Sequence, residues 1–263
     1  MATEQGRRKT RGREKRVMKQ RRRVSVVGVI GELLITAGVV VLLFLGWQVW
    51  LGNLISGNAQ AEEAQALSQA WDREAPAEPA EPAEPAAPVG PGDPIVQPAP
   101  ENAVAFANLI VPRLGADYTR PVAEGVNADV LRTKIGHYPG TQTPGGVGNA
   151  AFAAHRTGNG SPFYDIEKMQ IGDSIYFEME AGWYKYVVRS LEYVHASGVG
   201  VLDPVPQSPG IAATDRVLTL TSCNPVFTAD ERIIVYSLYD TWFPRSGGAP
   251  PEIAALAQAS AAS

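Results

Sequence analysis

Cysteine occurs once in these 263 residues and histidine three times. A single thiol excludes an internal disulfide, so no covalent staple closes this chain. Basic residues are scarce after the first 23 positions. Residues 1–23 hold 11 of the 23 Lys+Arg and two acids, a net +9, while the other 240 residues carry −13. That asymmetry excludes a uniformly basic nucleic-acid binder and fits a protein divided by a membrane. Helical periodicity is weak in the second half, where it supports one short candidate at 128–134.

The longest uncharged stretch, LLITAGVVVLLFLGWQVWL, covers residues 33–51. At about 1.5 Å per residue a helix of this length spans the roughly 30 Å hydrocarbon core of a bilayer. Residues 24–52 are therefore read as a transmembrane anchor. Glu32 lies at its inner edge, and Trp47 and Trp50 at the far end, where indoles favour the interface. The basic head, 1–23, is expected on the cytoplasmic side, giving a single-pass plasma-membrane protein with its later residues outside. A cleavable signal peptide is the competing reading, because Ala59-Gln60-Ala61 resembles a cleavage site.

Residues 53–101 turn to Ala, Glu, Pro and Gln, with Glu-Pro-Ala repeats from Glu78 to Pro88. This composition is expected to form a disordered linker, too poor in apolar surface to fold. One folded domain is expected over 102–245, followed by a disordered tail at 246–263. Its strand candidates are 103–111, 149–155, 174–179, 184–194, 217–222 and 233–239, short runs rich in Val, Ile, Tyr and Phe between Gly, Pro, Asn and Asp. An all-β barrel with one or two short helices fits them best.

Cys223 closes the run Leu218-Thr219-Leu220-Thr221-Ser222, and Arg232 opens the next strand candidate nine residues later. A hairpin between them would bring thiol and guanidinium onto adjacent strands. His155 closes Ala151-Phe152-Ala153-Ala154, at the end of another candidate. Thiol, imidazole and guanidinium are the parts of a thiol acyl-transfer site: nucleophile, acid and base, and fixed cation for an oxyanion. A lone cysteine in an exported chain favours a reactive role, with a buried structural thiol as the alternative.

These residues carry a family resemblance. Thr219-Leu220-Thr221-Ser222-Cys223-Asn224-Pro225, followed by Ala229-Asp230-Glu231-Arg232-Ile233-Ile234-Val235, resembles the cysteine and arginine strands of sortases. Ala153-Ala154-His155-Arg156-Thr157-Gly158 resembles their histidine motif. Gly136-His137-Tyr138-Pro139-Gly140-Thr141, Ser161-Pro162-Phe163-Tyr164, Ile171-Gly172-Asp173 and Gly31-Glu32-Leu33-Leu34 resemble class E sortases of high-GC Gram-positive bacteria. The similarity covers residues 24–55 and 102–242. Two positions depart from it: Ala154 replaces the usual Gly before the histidine, and Ser222 the usual Thr before the cysteine.

The resemblance implies a closed barrel of about eight strands and cysteine transpeptidation. Cys223 would attack the Thr–Gly carbonyl of a C-terminal sorting signal of the Leu-Ala-x-Thr-Gly (LAXTG) type on a surface protein. His155 would serve as acid and base, Arg232 would hold the oxyanion, and a peptidoglycan-precursor amine would receive the acyl group. Further contacts to substrate are expected from Tyr138, Ala154, Thr221 and Ser222, and from Val201, Leu202 and Pro204 as a groove wall. No metal or other cofactor is required by this chemistry. The extra methyl of Ala154 is expected to narrow the groove beside the imidazole.

His137, in a Gly/Pro turn, and His195, at a strand end, are expected to be peripheral, and Arg216 to be a solvated strand start. Asp165, Glu167 and Asp173 are read as surface and turn carboxylates rather than a cation site. Two other readings stay open: a non-catalytic wall-associated β-domain for adhesion or sensing, and an L,D-transpeptidase. The second lacks the histidine such enzymes keep near the cysteine.

Overall fold

A computed structural model describes residues 25–74 and 94–254, apart from the side chains of 48–50. The basic head, the Glu-Pro-Ala repeats and the end of the tail lie outside the described residues. The described residues fall into two compact units divided between Gly46 and Trp47.

A helix, α1, runs from Val26 to Glu74 over 49 residues. It contains a window of mean hydropathy 2.5 and, among the described residues, is the one helix long and apolar enough to cross a membrane. Its length corrects the linker expectation. The helix runs through residues 53–74, and within the second unit this part docks on the β-domain. The first proline of the chain is Pro76. Averaging 53–74 with the prolines beyond had hidden a stretch rich in Ala, Glu and Gln, all strong helix formers. Gln60, Ala64 and Trp71 are buried at helical spacing.

Hydrogen bonds and ion pairs contribute to that docking beside the buried Ala64 and Trp71. Ala64 O accepts from the buried Asn108 amide at 2.8 Å, and Ser68 donates to Glu178 at 2.6 Å. Asp72 pairs with Arg245 at 2.5 Å, while Arg245 stacks on Trp71 and Trp183. Residues 94–98 also lie on the barrel: Pro94 is buried, and Thr143 donates to Gln97 O at 2.6 Å.

Eight strands close the barrel: β1 (Ala105–Ile110), β2 (Thr119–Glu124), β3 (Ile135–His137), β4 (Gly148–Ala153), β5 (Ser174–Met179), β6 (Gly182–His195), β7 (Arg216–Asn224) and β8 (Glu231–Pro244). Their order is β1-β2-β3-β4-β7-β8-β6-β5, with β2–β3 and β4–β7 parallel and the other pairs antiparallel. A short helix, α2 (Ala128–Leu131), follows Asn127, whose side chain caps it by accepting from the amides of Asp129 and Val130.

The core carries a line of rings across the barrel. His137 to Phe152, Phe152 to Phe177, and Phe177 to Tyr186 are 5.1, 4.6 and 6.1 Å between centroids. Alternation along the strands sets the two faces of the sheet. Ala150, Phe152 and Ala154 point inward on one side, Leu218 and Leu220 on the next strand, and Ile233 and Val235 on the third. Asn149, Ala151, Ala153 and His155 therefore share the outer face with Thr219, Thr221, Cys223 and Arg232.

Candidate active site

Cys223 and Arg232 are direct cross-strand partners in the β7–β8 ladder. Directly paired residues present their side chains on the same face, so thiol and guanidinium meet on the outside of the barrel. The parallel β4–β7 ladder pairs Ala151 with Thr219 and Ala153 with Thr221. Two residues further along both strands stand His155 and Cys223. At the neighbouring-strand spacing of about 4.8 Å, the two backbone positions stand side by side, His155 on the side of Cys223 away from Arg232. The site is thus three adjacent strand ends with the cysteine in the middle.

Two bonds hold the strands together past the last ladder pair. Ala154 N donates to Thr221 O at 3.3 Å, and Ser222 Oγ donates to Ala154 O at 2.8 Å. These contacts correct two expectations. Ala154 and Ser222 are both buried, and the Ala154 methyl packs into the barrel core. They do not line a groove. They brace the histidine strand against the cysteine strand from beneath.

His155 is half-buried, and burial holds its ring below the usual histidine pKa by penalising the charged form. Neither ring nitrogen makes a hydrogen bond among the described residues, which leaves both for an incoming ligand. Arg232 is also half-buried, and its Nη1 donates to Ala229 O at 2.9 Å and Glu231 O at 2.8 Å. Those bonds fix the guanidinium at the mouth of the β7–β8 turn.

Arg156 is the residue that strand patterning had missed. It is buried beside His155, and its guanidinium pairs with Glu167 at 2.6 Å. Its Nη1 donates to Cys223 O at 3.3 Å and to Asn224 Oδ1 at 2.8 Å, and its Nε to Tyr164 O at 3.1 Å. One planar cation thereby ties the Cys223 backbone to the loop after His155. The signal in the sequence was a buried charge next to His155, and burial is not visible there.

Tyr138 lies over the outer face, its hydroxyl 3.2 Å from Thr221 Oγ1. Those two predicted contacts are brought together two residues from Cys223. Farther along, Asn149 donates to Val201 O at 2.9 Å and Asp203 O at 3.1 Å, and Thr219 donates to Asn149 at 2.7 Å. The 3-10 turn Val199–Leu202 therefore closes the outer face at Thr219. Val201 is buried, Leu202 half-buried and Pro204 exposed. The expected wall packs over Asn149 and Thr219, both buried beneath it. From Cys223 to Thr219 is four strand positions, about 13 Å, the length of four extended residues.

The remaining candidates have other partners. Arg216 donates to Gly145 O at 2.8 Å, seven strand positions from Cys223. His195 is exposed, with Ser197 3.0 Å from its Nδ1. Asp173 pairs with Arg113, which holds its carboxyl below the usual range, and Asp165 pairs with Lys168. His137 departs from expectation: it is fully buried inside the barrel, with Nδ1 2.5 Å from Glu124 and Nε2 2.8 Å from Gln142 O. Its turn-rich neighbourhood was legible, but its place under the ring line was not.

Barrel and rim define a class: closed β-barrels that present a thiol between an imidazole and a guanidinium on adjacent strand ends. The sortase-domain family model matches residues 109–239. Sortase SrtE1 of Streptomyces coelicolor is 34% identical over 246 residues, 90% of this chain and 64% of that protein's length. Among solved structures, the SrtA sortase from Actinomyces oris is 36% identical with a TM-score of 0.59, covering 61% of this chain and 93% of that one. Sortase E1 from Streptomyces coelicolor, solved with a tripeptide in the active site, is 36% identical with a TM-score of 0.53, covering 57% of this chain and 96% of that one. The chain belongs to the sortase family of cysteine transpeptidases, and its likeness to these SrtE proteins places it in class E. That assignment sets aside the L,D-transpeptidase reading.

Proposed function

We propose that this chain cleaves a LAXTG-type sorting signal between Thr and Gly and transfers the acyl group to an amine of a peptidoglycan precursor. The observation that carries the reading is the register: Cys223 lies opposite Arg232 in one ladder, and Cys223 and His155 each lie two residues beyond the last pair of the other, Ala153 with Thr221. A relative's active site occupied by a tripeptide supports a peptide ligand on this face.

The steps follow from the groups. The Cys223 proton passes to His155, and the thiolate attacks the threonine carbonyl carbon. The Arg232 guanidinium stabilises the resulting oxyanion, a contribution of about 3 kcal/mol for a well-placed donor. Imidazolium returns the proton to the glycine nitrogen, the C–N bond breaks and a thioester remains. An incoming amine then gives a proton to His155, attacks the thioester and expels the thiolate. Because burial disfavours the charged ring, His155 binds its proton weakly and releases it readily to the leaving amine.

Tyr138, held by its hydroxyl against Thr221, is placed to contact the signal's second residue from the outer face. The apolar half of α1 anchors the chain in the plasma membrane, with the basic head inside and the catalytic domain outside. The full chain in detergent, given a Leu-Ala-x-Thr-Gly peptide and a diamine, should release the glycine fragment and form the amine-ligated product. Release of neither from correctly folded protein would leave a non-catalytic wall-associated module as the reading.

A further inference from the structure

The loop that carries His155 is built at a cost. It leaves the barrel at Ala154 and returns at Phe163, whose amide donates to His155 O at 3.1 Å. Between them Gly158, Asn159, Gly160 and Ser161 have φ of +75°, +52°, +79° and +46°. Four successive left-handed residues form a turn closed by Ser161 N donating to Gly158 O at 2.8 Å. Glycine adopts this region freely and asparagine with little penalty, but serine does not. A turn of this kind persists where its surroundings over-determine it.

The surroundings come from α1. Gln60, on the docked part of the helix, is 2% exposed and donates its side-chain amide to Asn159 O at 2.8 Å. The two segments approach closely. A Cβ on Gly160 would stand 3.0 Å from the Gln60 amide nitrogen and 3.1 Å from Gly57 N. Gly57 and Gln60 are adjacent on one helical face, and both meet the tip of the His155 loop. From the barrel side, Tyr118 donates to Pro162 O at 2.7 Å. The tip is therefore gripped between the helix and the barrel, a few residues after the imidazole in the chain.

We propose that the docked segment of α1 belongs to the catalytic apparatus, with Gln60 a positioning residue that holds the left-handed turn and through it His155. Undocking of this segment would relax the turn and let the ring drift from Cys223. The segment that follows the apolar span thus governs how often the site is assembled. The inference rests on the proposed role of His155, but its first test does not need turnover.

Hydrogen exchange on the full chain in detergent reads the turn through the Ser161 and Phe163 amides. Gln60→Leu keeps the side chain's bulk and removes the donor, and it should speed exchange at both amides about tenfold. Gly57→Ala adds a methyl whose nearest neighbours lie 3.8 and 4.0 Å away, so it fits, and it raises helix propensity. It should slow exchange at the same amides. Glu63→Ala, which cuts the partly buried docking pair with Lys134 at 2.8 Å but leaves the Gln60 bond in place, should raise exchange less. With peptide, Gln60→Leu should lower kcat about tenfold and leave KM within about twofold, the split expected of misplaced chemistry rather than lost binding.

Unchanged exchange in Gln60→Leu, or an equal rise in Glu63→Ala, would overturn the inference. If Gln60→Leu also exposes the β5–β6 hairpin, Gly57→Ala decides, and unaltered exchange there would overturn it as well. A wild-type chain that turns over no peptide would count against the proposed chemistry alone, since the exchange data judge the clamp independently.

Discussion

Two histidines of this chain stand on neighbouring strands and have opposite surroundings. His137 lies inside the barrel with both ring nitrogens occupied, against Glu124 on one side and against Gln142 O and the Thr141 hydroxyl on the other. His155 lies at the outer rim, half-buried, with neither nitrogen engaged among the described residues. A buried polar group that is fully satisfied contributes to the fold, whereas one left open next to a thiol is available for chemistry. The contrast separates the two roles without reference to sequence motifs, since both residues lie in family-like segments.

Substitution of each ring should break the contrast cleanly or refute it. His155→Ala should lower the acylation rate about 10²–10⁴-fold. Its melting temperature should stay within about 3 °C of wild type, since a half-exposed ring makes no bond. His137→Leu should do the reverse. It leaves Glu124 unpaired in the barrel and should cost about 3–5 kcal/mol in urea unfolding. Activity per folded molecule should remain near wild type. Equal loss of activity in the two variants, with both still folded, would collapse the distinction.

Arg156→Lys sharpens the account of the rim. A single ammonium can keep Glu167 but cannot also reach Tyr164 O, Cys223 O and Asn224, so kcat should fall about tenfold with KM little changed. Tyr138→Phe removes only the hydroxyl that meets Thr221. It should reduce the preference for Leu-Ala-x-Thr-Gly over Leu-Pro-x-Thr-Gly peptides by about three- to tenfold, as for one ordinary hydrogen bond. Competition between the two peptides measures this directly.

The smallest effect is on stability against pH. Burial lowers the His155 pKa in the folded state, so the unfolded chain takes up the proton first. Stability should therefore fall as pH drops from about 6.5 towards the lower folded value, and be unaffected above that window. His155→Gln should lose this part of the slope when urea midpoints at pH 5.5 and 7.5 are compared. A steeper slope in the variant would reverse the sign assigned to burial.

Much of the rim was legible because it lies on long strands. Strands β5, β6, β7 and β8 are rich in β-branched and aromatic residues, and Cys223 and Arg232 flank a turn short enough to fix their pairing. Two strands were not legible. β2 reads Thr-Arg-Pro-Val-Ala-Glu, and its proline and charges hide the strand signal. Pro121 is tolerated because β3 pairs only with residues 122–124, which leaves its missing donor on an uncovered side. β3 itself has three residues, too few for any period.

Ala154 and Ser222 were misread for a different reason. Alternation assigns a residue to a face only once the register is known, and one step moves a side chain from groove to core. The docked part of α1 was hidden by composition. It is held by Gln60, Ser68, Asp72 and Arg245 beside the buried Ala64 and Trp71, and polar contacts across long sequence separations leave no local pattern.

The central claim is that sulfur, ring nitrogen and guanidinium converge on one carbonyl at the end of β7. Intact-mass and peptide-mapping spectrometry of the chain mixed with a Leu-Ala-x-Thr-Gly peptide, quenched in acid before any amine is added, tests it most directly. The account predicts one acyl adduct, ending at the threonine and mapped to Cys223, absent from Cys223→Ala and strongly reduced in His155→Ala and Arg232→Ala. Peptide cleavage that persists in Cys223→Ala, or an adduct on any other residue, would contradict it.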